Sequence, residues 1–115
     1  MRILNIGIDI IDINRFRKKE YIKNKKFYEK IFTDSEIKYC LSFKNNEEHF
    51  AGKFAIKEAV KKSIKENIGF KEILTNHEKS KPQIILKKKL NYRFLVSVTH
   101  EKDFAIAVVI ALDED

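Results

Sequence analysis

The first thirteen residues restrict the fold most, because they form an isoleucine-rich run that carries a carboxylate. The run Asn5-Ile6-Gly7-Ile8-Asp9-Ile10-Ile11-Asp12-Ile13 has the β-branched composition of a strand, which we expect over residues 1–13. A carboxylate inside such a strand loses much of its water, and an unpaired buried charge is costly. Asp9 therefore either lies on a solvated face or is compensated by a metal ion, a cation or protonation.

Helices are predicted next along the chain. Residues 15–30 alternate charged and apolar positions, which favours one or two short helices. Thr33-Asp34-Ser35-Glu36 is a capping box, in which the Thr33 hydroxyl and the Glu36 carboxylate each satisfy a free backbone N–H. It predicts a helix to about Phe43.

The longest helix is predicted to begin after Asn45 and to end near Asn67, where Gly69 follows. Glu48, three residues after Asn45, supports that start. Small, aliphatic and aromatic side chains recur inside the segment at helical spacing, which predicts a core helix. They are Phe50, Ala51, Phe54, Ala55, Ala59 and Ile64.

The remainder of the chain is predicted to form strands. Two turns, Ser80-Lys81-Pro82 and Glu101-Lys102-Asp103, each separate two runs with strand patterning. A strand, then helices, then several strands predict one α+β domain over residues 1–115, with a mainly antiparallel sheet packed against the long helix. The later strands are expected over residues 71–77, 83–87, 95–100 and 104–112.

Most of the net charge of +7 lies in one short segment, since residues 14–30 contribute +6. A localised basic surface attracts an anionic partner, here a nucleic acid, a phosphate-rich small molecule or an acidic protein. The alternative is a lysine-rich helix that is only solvated. The basic residues are Arg15, Arg17, Lys18, Lys19, Lys23, Lys25, Lys26 and Lys30, against Glu20 and Glu29.

Composition also narrows the class of protein. The single cysteine, Cys40, excludes a disulfide framework within one chain and a multi-cysteine zinc site. No stretch approaches the roughly 18 apolar residues that cross a bilayer, and no targeting segment precedes the first strand. We therefore expect a cytoplasmic protein without a membrane partner.

The long helix carries a second carboxylate that Asp9 could join. Phe54, Glu58 and Lys62 are spaced i, i+4 and i+8, so they lie along one helix face. Glu58 and Lys62 alone have the order of a surface ion pair. Brought together with Asp9, water and phosphate oxygens, Glu58 would instead complete a site for a hard cation such as Mg²⁺.

Three segments together resemble the signatures of the 4′-phosphopantetheinyl transferases. Order and chain length resemble the short branch of that family, the holo-[acyl-carrier-protein] synthases, and the resemblance covers essentially the whole chain. The segments are Gly7-Ile8-Asp9-Ile10 followed by Arg15-Phe16, then Phe54-Ala55-Ile56-Lys57-Glu58-Ala59 with Lys62, and then Val96-Ser97-Val98-Thr99-His100.

The resemblance implies transfer of 4′-phosphopantetheine from coenzyme A to a serine of apo-acyl carrier protein, in fatty acid biosynthesis. The products are holo-carrier protein and adenosine 3′,5′-bisphosphate. Asp9 and Glu58 would hold Mg²⁺ at the pyrophosphate of coenzyme A, and Lys62 would contact the phosphates. Phosphoryl chemistry of this kind asks a protein mainly for positioning and charge neutralisation.

The resemblance also assigns the binding of both substrates and an oligomeric state. A homotrimer with active sites shared between adjacent subunits is expected, on the 4′-phosphopantetheinyl transferase fold. Arg15, Lys26 and Lys30 would meet the acidic carrier protein. The expected coenzyme A contacts are Lys53, Phe54, Lys62, Pro82 and His100.

A small basic RNA-binding module is the main alternative. The net charge and strand aromatics such as Phe94 and Phe104 favour it, since such modules stack bases on exposed rings. Both rings lie in apolar runs and are expected in the core, however. An RNA module also has no use for two carboxylates beside its anionic ligand, so no nucleic-acid partner is expected.

Overall fold

Five antiparallel strands and four helices make up the α+β fold. The computed structural model describes residues 1–114. One sheet has the strand order β1-β5-β4, and the other pairs β2 with β3. The elements are β1 (Ile3–Asp12), α1 (Asn14–Arg17), a 3₁₀ turn (Tyr21–Lys23), α2 (Lys25–Glu29), α3 (Asp34–Leu41), α4 (Asn46–Ser63), a second 3₁₀ turn (Phe70–Glu72), β2 (Ile73–Glu78), β3 (Lys81–Leu86), β4 (Tyr92–Glu101) and β5 (Phe104–Asp113).

Small residues on the three-stranded sheet let α4 approach it closely. An ideal Cβ on Gly7 of β1 would lie 1.9 Å from the Ala59 carbonyl oxygen of α4. Only a residue without a side chain fits there, because the atom met is backbone. The inward positions of the central strand are also small and buried: Ala105, Ala107, Val109 and Ala111.

The opposite face of this sheet is apolar and exposed. Ile6, Ile8 and Ile10 are 57%, 61% and 59% exposed, whereas Gly7 and Ile11 are buried towards α4. Successive strand residues point to opposite faces, so Asp9 lies on the inward side of β1. The face continues onto the neighbouring strands through Leu95, Phe104 and Ile106. The expectation that Phe104 is a core residue was wrong, because its side chain lies on this exposed face.

The helix starts were predicted correctly, but the end of α4 was not. Thr33 and Glu36 form the expected capping box, with the Glu36 backbone N–H donating to Thr33 Oγ1 over 3.3 Å. The helix after Asn45 ends at Ser63, not near Asn67. Ile64 is already extended and packs into the core with Ile68, so tertiary burial overrides local helix propensity.

Both predicted hairpins form, with tighter turns than expected. Lys79 and Ser80 have φ angles of 51° and 65°, the left-handed values that a two-residue hairpin turn requires. Pro82, expected in that turn, already lies in β3 opposite His77. The second turn has Lys102 at φ 55° and joins β4 to β5.

The short helices after β1 each add an aromatic ring to the core. Phe16 of α1 and Tyr28 of α2 are buried, and their rings lie 5.9 Å apart. Phe50 of α4 is 4.6 Å from the Tyr28 ring. This cluster explains the alternating pattern of residues 15–30. None of the helices described in residues 1–114 is long and apolar enough to cross a membrane.

Candidate active site

Asp9 is half-buried and has one carboxylate oxygen without a partner. Its side chain is only 11% exposed. Lys62 Nζ donates to Asp9 Oδ1 over 3.0 Å and to the Ile8 carbonyl over 3.0 Å. Within residues 1–114, Asp9 Oδ2 is buried and accepts no hydrogen bond. One carboxylate oxygen is therefore paired with a cation, and the other is buried without a hydrogen-bond partner, which is unusual in folded proteins.

Glu58 lies one helical turn before Lys62 on α4. In the described part of the chain its carboxylate takes no hydrogen bond or ion pair, since Lys62 pairs with Asp9 instead. The simple Glu58–Lys62 surface pair is therefore not what this helix face forms. Glu58 is half-buried, so its oxygens can still receive a ligand.

Packing of β1 against α4 places Asp9 beside Lys62, which lies one helical turn after Glu58. Gly7 of β1 lies against Ala59 and the Lys62 Cβ. Further along the chain, the Arg15 guanidinium lies 5.3 Å from the centre of the Phe54 ring. In the sequence, both Asp9 and Glu58 lie between the residues of these two contacts. Lys62 of this helix face reaches the inward side chain of Asp9, and a cation site shared by Asp9 and Glu58 stays a prediction.

The donor set fits a hard cation that also takes ligands from a substrate. Asp9 Oδ2 is an unpaired buried oxygen, and carboxylate oxygens are the preferred protein ligands of Mg²⁺. Among residues 1–114 no group of three or more His, Cys, Asp or Glu side chains is placed to hold a metal. Two carboxylates alone suit Mg²⁺, which usually keeps several waters and binds substrate phosphates.

Other predicted coenzyme A contacts lie apart from this pair of carboxylates within one chain. His100, near the end of β4, has Nε2 3.7 Å from Glu48 Oε2. Glu48 is in the first turn of α4, about 15 Å along the helix axis from Glu58. Pro82 is on β3, in the other sheet.

The Lys53 side chain is buried and forms hydrogen bonds inside the protein. Its ammonium donates to the Thr75 carbonyl over 3.1 Å and to Thr75 Oγ1 over 2.9 Å. It also lies 4.7 Å from the centre of the Tyr39 ring. Burial lowers the pKa of Lys53 from its ordinary value, opposed by the nearby Cys40 and Glu36 groups. A contact between Lys53 and coenzyme A remains a prediction, and it requires these bonds to open.

Arg15 links the basic segment to the site. It is exposed on α1 and lies over Phe54, one turn before Glu58. Phe54 itself is buried, with its ring 5.9 Å from that of Phe16. Lys26 and Lys30 are exposed on and just after α2. A basic surface therefore begins at the edge of the candidate active site.

The only cysteine in the sequence, Cys40, is not suited to act as a catalytic nucleophile. Cys40 is fully buried. Burial, with a smaller contribution from Glu36, raises the pKa of its thiol to about 12 against the opposing charges of Lys53 and Lys57. A buried thiol of that pKa is inert at neutral pH.

Comparison with known proteins identifies the family. A sequence model of the 4′-phosphopantetheinyl transferase superfamily matches residues 5–109. The chain belongs to that superfamily. Among curated relatives of this chain is the holo-[acyl-carrier-protein] synthase of Chlamydia trachomatis serovar D. It is 38% identical over 115 aligned residues, which cover 92% of this chain and 97% of the relative.

Solved structures of the same family share the fold. The holo-(acyl-carrier-protein) synthase of Bacillus anthracis, in complex with CoA (3′,5′-ADP), is 33% identical with a TM-score of 0.81, covering 96% of this chain and 97% of that one. The Helicobacter pylori synthase, in complex with coenzyme A, is 36% identical with a TM-score of 0.80, covering 93% and 99%. The predicted α+β fold of the family is therefore confirmed for a single chain.

Sequence reasoning missed two features of the packing around α4. Gly7 was noted only as part of a motif, although its missing side chain sets the distance between β1 and α4. The second is a buried ion pair between Lys57 and Glu36. A lysine between Ile56 and Ala59, inside the apolar stretch of a core helix, is the signal that could have indicated it.

Proposed function

We propose that this protein transfers the 4′-phosphopantetheine group from coenzyme A to a serine of apo-acyl carrier protein in fatty acid biosynthesis. The observation that carries the proposal is the buried, unpaired Oδ2 of Asp9, whose Oδ1 accepts from Lys62, one helical turn after Glu58. The family and the coenzyme A complexes of two relatives support the same reaction. The buried free Cys40 suits a reducing cytoplasm.

Asp9 and Glu58 would hold the divalent cation of the reaction. Bound there, Mg²⁺ would neutralise negative charge on the pyrophosphate of coenzyme A. Lys62, whose side chain is 55% exposed, can donate to the same phosphates. Its compact ammonium acts there as a point charge.

The bond changes are those of a phosphoryl-type substitution. The serine oxygen of the carrier protein bonds to the β-phosphorus of coenzyme A. The bond from that phosphorus to the oxygen of the pyrophosphate bridge breaks, and this oxygen stays on the nucleotide. The pantetheine phosphate moves to the serine, adenosine 3′,5′-bisphosphate leaves, and the serine proton passes to a base or to solvent. The chain contributes orientation and charge neutralisation, which is what such transfer requires.

A trimer is part of the proposal, and the exposed isoleucine face is its support. Ile6, Ile8 and Ile10 present an apolar surface of a kind that soluble proteins usually cover. Further copies of this chain are the occupant that we propose. In such an assembly His100, Lys53 and Pro82 would reach coenzyme A bound at the Asp9 of a neighbouring subunit. That arrangement would account for the positions of His100 and Pro82, which lie apart from Asp9 within one chain.

The negative charge of an acyl carrier protein would complement the basic segment of this chain. Arg15, Lys26 and Lys30 are exposed, and an acidic carrier protein docking on them would approach Glu58 past Phe54. The serine would then arrive beside the cation site. Rim charges of this kind mainly accelerate association.

Intact-mass spectrometry tests the proposed reaction directly. The protein is incubated with apo-acyl carrier protein, coenzyme A and Mg²⁺, and the carrier protein should gain one phosphopantetheine group. Glu58→Gln should abolish the gain, whereas the matched control Glu47→Gln, on the same helix, should not. No added mass with the wild-type protein, with or without Mg²⁺, would sink the proposal.

Sedimentation measures the proposed assembly. Ile8→Lys places a charge in the middle of the exposed sheet face, so a trimeric wild-type protein should become monomeric. The control Ile22→Lys changes an isoleucine that is equally exposed but lies in the first 3₁₀ turn. A wild-type protein that sediments as a monomer at assay concentration contradicts the shared-site arrangement.

A further inference from the structure

A fully buried ion pair lies one residue from Glu58. Lys57 Nζ is 2.7 Å from Glu36 Oε1, and the two side chains are 0% and 2% exposed. Lysine and glutamate are almost never buried so completely unless they are paired. Neither side chain touches the candidate active site, so the reaction described above does not use them.

The Lys57 ammonium ties α4 to three separate segments. Besides Glu36 on α3, it donates to the Ile31 carbonyl over 2.8 Å and to the Phe70 carbonyl over 3.0 Å. Ile31 follows α2, and Phe70 begins the second 3₁₀ turn. An ammonium group has three N–H donors, so every donor of Lys57 has a partner.

The Glu36 carboxylate is equally occupied. Oε1 accepts from Lys57 and from the Thr33 backbone N–H over 2.9 Å. Oε2 accepts from the Thr75 backbone N–H over 2.8 Å and from Thr75 Oγ1 over 2.6 Å. Burial raises the pKa of Glu36, but Lys57, Thr75 and Thr33 outweigh burial and hold that pKa below its ordinary value. The carboxylate is therefore ionised at neutral pH.

Lys53 adds a second anchor one turn earlier on the same helix. It donates to Thr75 as well, so Thr75 Oγ1 accepts from Lys53 while it donates to Glu36. Two lysines on consecutive turns of α4 are thus held at defined points of β2 and α3. Apolar contacts are non-directional, whereas these hydrogen bonds have fixed directions, so they define the rotation of α4 about its axis.

We propose that Glu36 and Lys57 are positioning residues, which fix the rotation of α4 so that Glu58 faces Asp9. The inference rests on the proposed role of Glu58 in transfer. Neighbouring helix residues point about 100° apart, so any rotation that loosens Lys57 also swings Glu58. A displacement of about 1 Å can cost about 100-fold in rate.

Positioning and stability can be separated because the two roles respond differently to the same substitution. Replacing both members of a buried ion pair often leaves stability unchanged. We therefore choose the double variant Glu36→Gln/Lys57→Met, which removes both charges and keeps the side-chain lengths similar. The matched control, Ile37→Val, removes one buried methylene from α3 and leaves the network intact.

The test measures the unfolding midpoint of each variant. It also measures kcat and the KM for coenzyme A at a temperature well below that midpoint. We expect the double variant to lose at least tenfold in kcat, with KM changed less than threefold, while Ile37→Val keeps wild-type kcat. A double variant that folds and keeps kcat within twofold of the control overturns the proposal. A wild-type protein without transfer activity would instead refute the proposed function.

A milder variant keeps the test decisive if the double variant does not unfold cooperatively. Thr75→Val removes one hydroxyl from the network, conserves its volume and lies on β2, away from Asp9. A three- to tenfold loss of kcat at unchanged KM supports positioning. A lowered unfolding midpoint with wild-type kcat shows that the network acts on stability alone and overturns the proposal.

Discussion

Replacing Gly7 by alanine would force β1 and α4 apart at the point where the candidate active site is built. The new Cβ would lie 1.9 Å from the Ala59 carbonyl oxygen and 2.9 Å from its carbonyl carbon. Real Cβ contacts are almost never below 3.0 Å, so the two elements must separate by about 1 Å. No side-chain rotation relieves the contact, because the atoms met are backbone.

Two quantities should change together in Gly7→Ala. Overpacking typically costs about 1–3 kcal/mol of the free energy of unfolding, and we expect the upper end of that range because the contact is backbone on backbone. The bond from Lys62 Nζ to Asp9 Oδ1, now 3.0 Å, should lengthen by a similar 1 Å. A misplacement of that size predicts a loss of about 100-fold in kcat.

Urea unfolding and steady-state transfer from coenzyme A to carrier protein measure these changes. Gly52→Ala is the matched control, because its Cβ would meet only Val98 Cγ2 at an ordinary 3.5 Å. Alanine in the middle of α4 should stabilise by about 0.5–1 kcal/mol and leave kcat unchanged. A Gly7→Ala protein with wild-type stability and kcat would refute the close-packing argument.

Three further predictions concern the turn, the buried network and the basic surface. Ser80→Gly should stabilise by about 0.5–1 kcal/mol in urea unfolding, because Ser80 has φ 65°; an unchanged or lowered midpoint would contradict this. A carboxyl whose pKa is lowered on folding stabilises above its unfolded pKa and loses that contribution as pH falls. The wild type should therefore melt at a higher temperature than Glu36→Gln, with the full difference above about pH 4.5 and a shrinking difference at lower pH. A difference in melting temperature that does not depend on pH would contradict the ionised pair. Arg15→Glu should raise the KM for carrier protein at least tenfold and that for coenzyme A less than twofold, and equal effects would exclude Arg15 from the docking surface.

The candidate site residues could be selected from sequence because each stands out in a local pattern. Asp9 lies in an isoleucine-rich run, and Glu58 and Lys62 share a helix face by spacing alone. The contact between Asp9 and Lys62 depends on the register between β1 and α4. Gly7 fixes that register through a contact with a residue more than fifty positions away, which no local pattern contains.

Other features depended on the tertiary environment. The end of α4 follows the burial of Ile64 and Ile68 and not a stop signal. The outward isoleucines of β1 have the same composition as a core strand, so the sequence could not tell that the side with Gly7 and Asp9 faces inward. Lys53 was expected to contact coenzyme A, and within the chain Thr75 accepts its hydrogen bonds.

The most direct test of the central claim compares Asp9→Asn with Asp12→Asn. Both substitutions remove one carboxylate charge from β1, but Asp12 is exposed and caps the Asn14 backbone N–H, which asparagine can also do. Phosphopantetheine transfer and Mn²⁺ bound in the presence of coenzyme A are measured for each protein. We predict that Asp9→Asn loses transfer and Mn²⁺ binding while it unfolds at the wild-type midpoint or above, and that Asp12→Asn keeps both. Transfer by Asp9→Asn at the wild-type rate would contradict the assignment of Asp9 to the cation site.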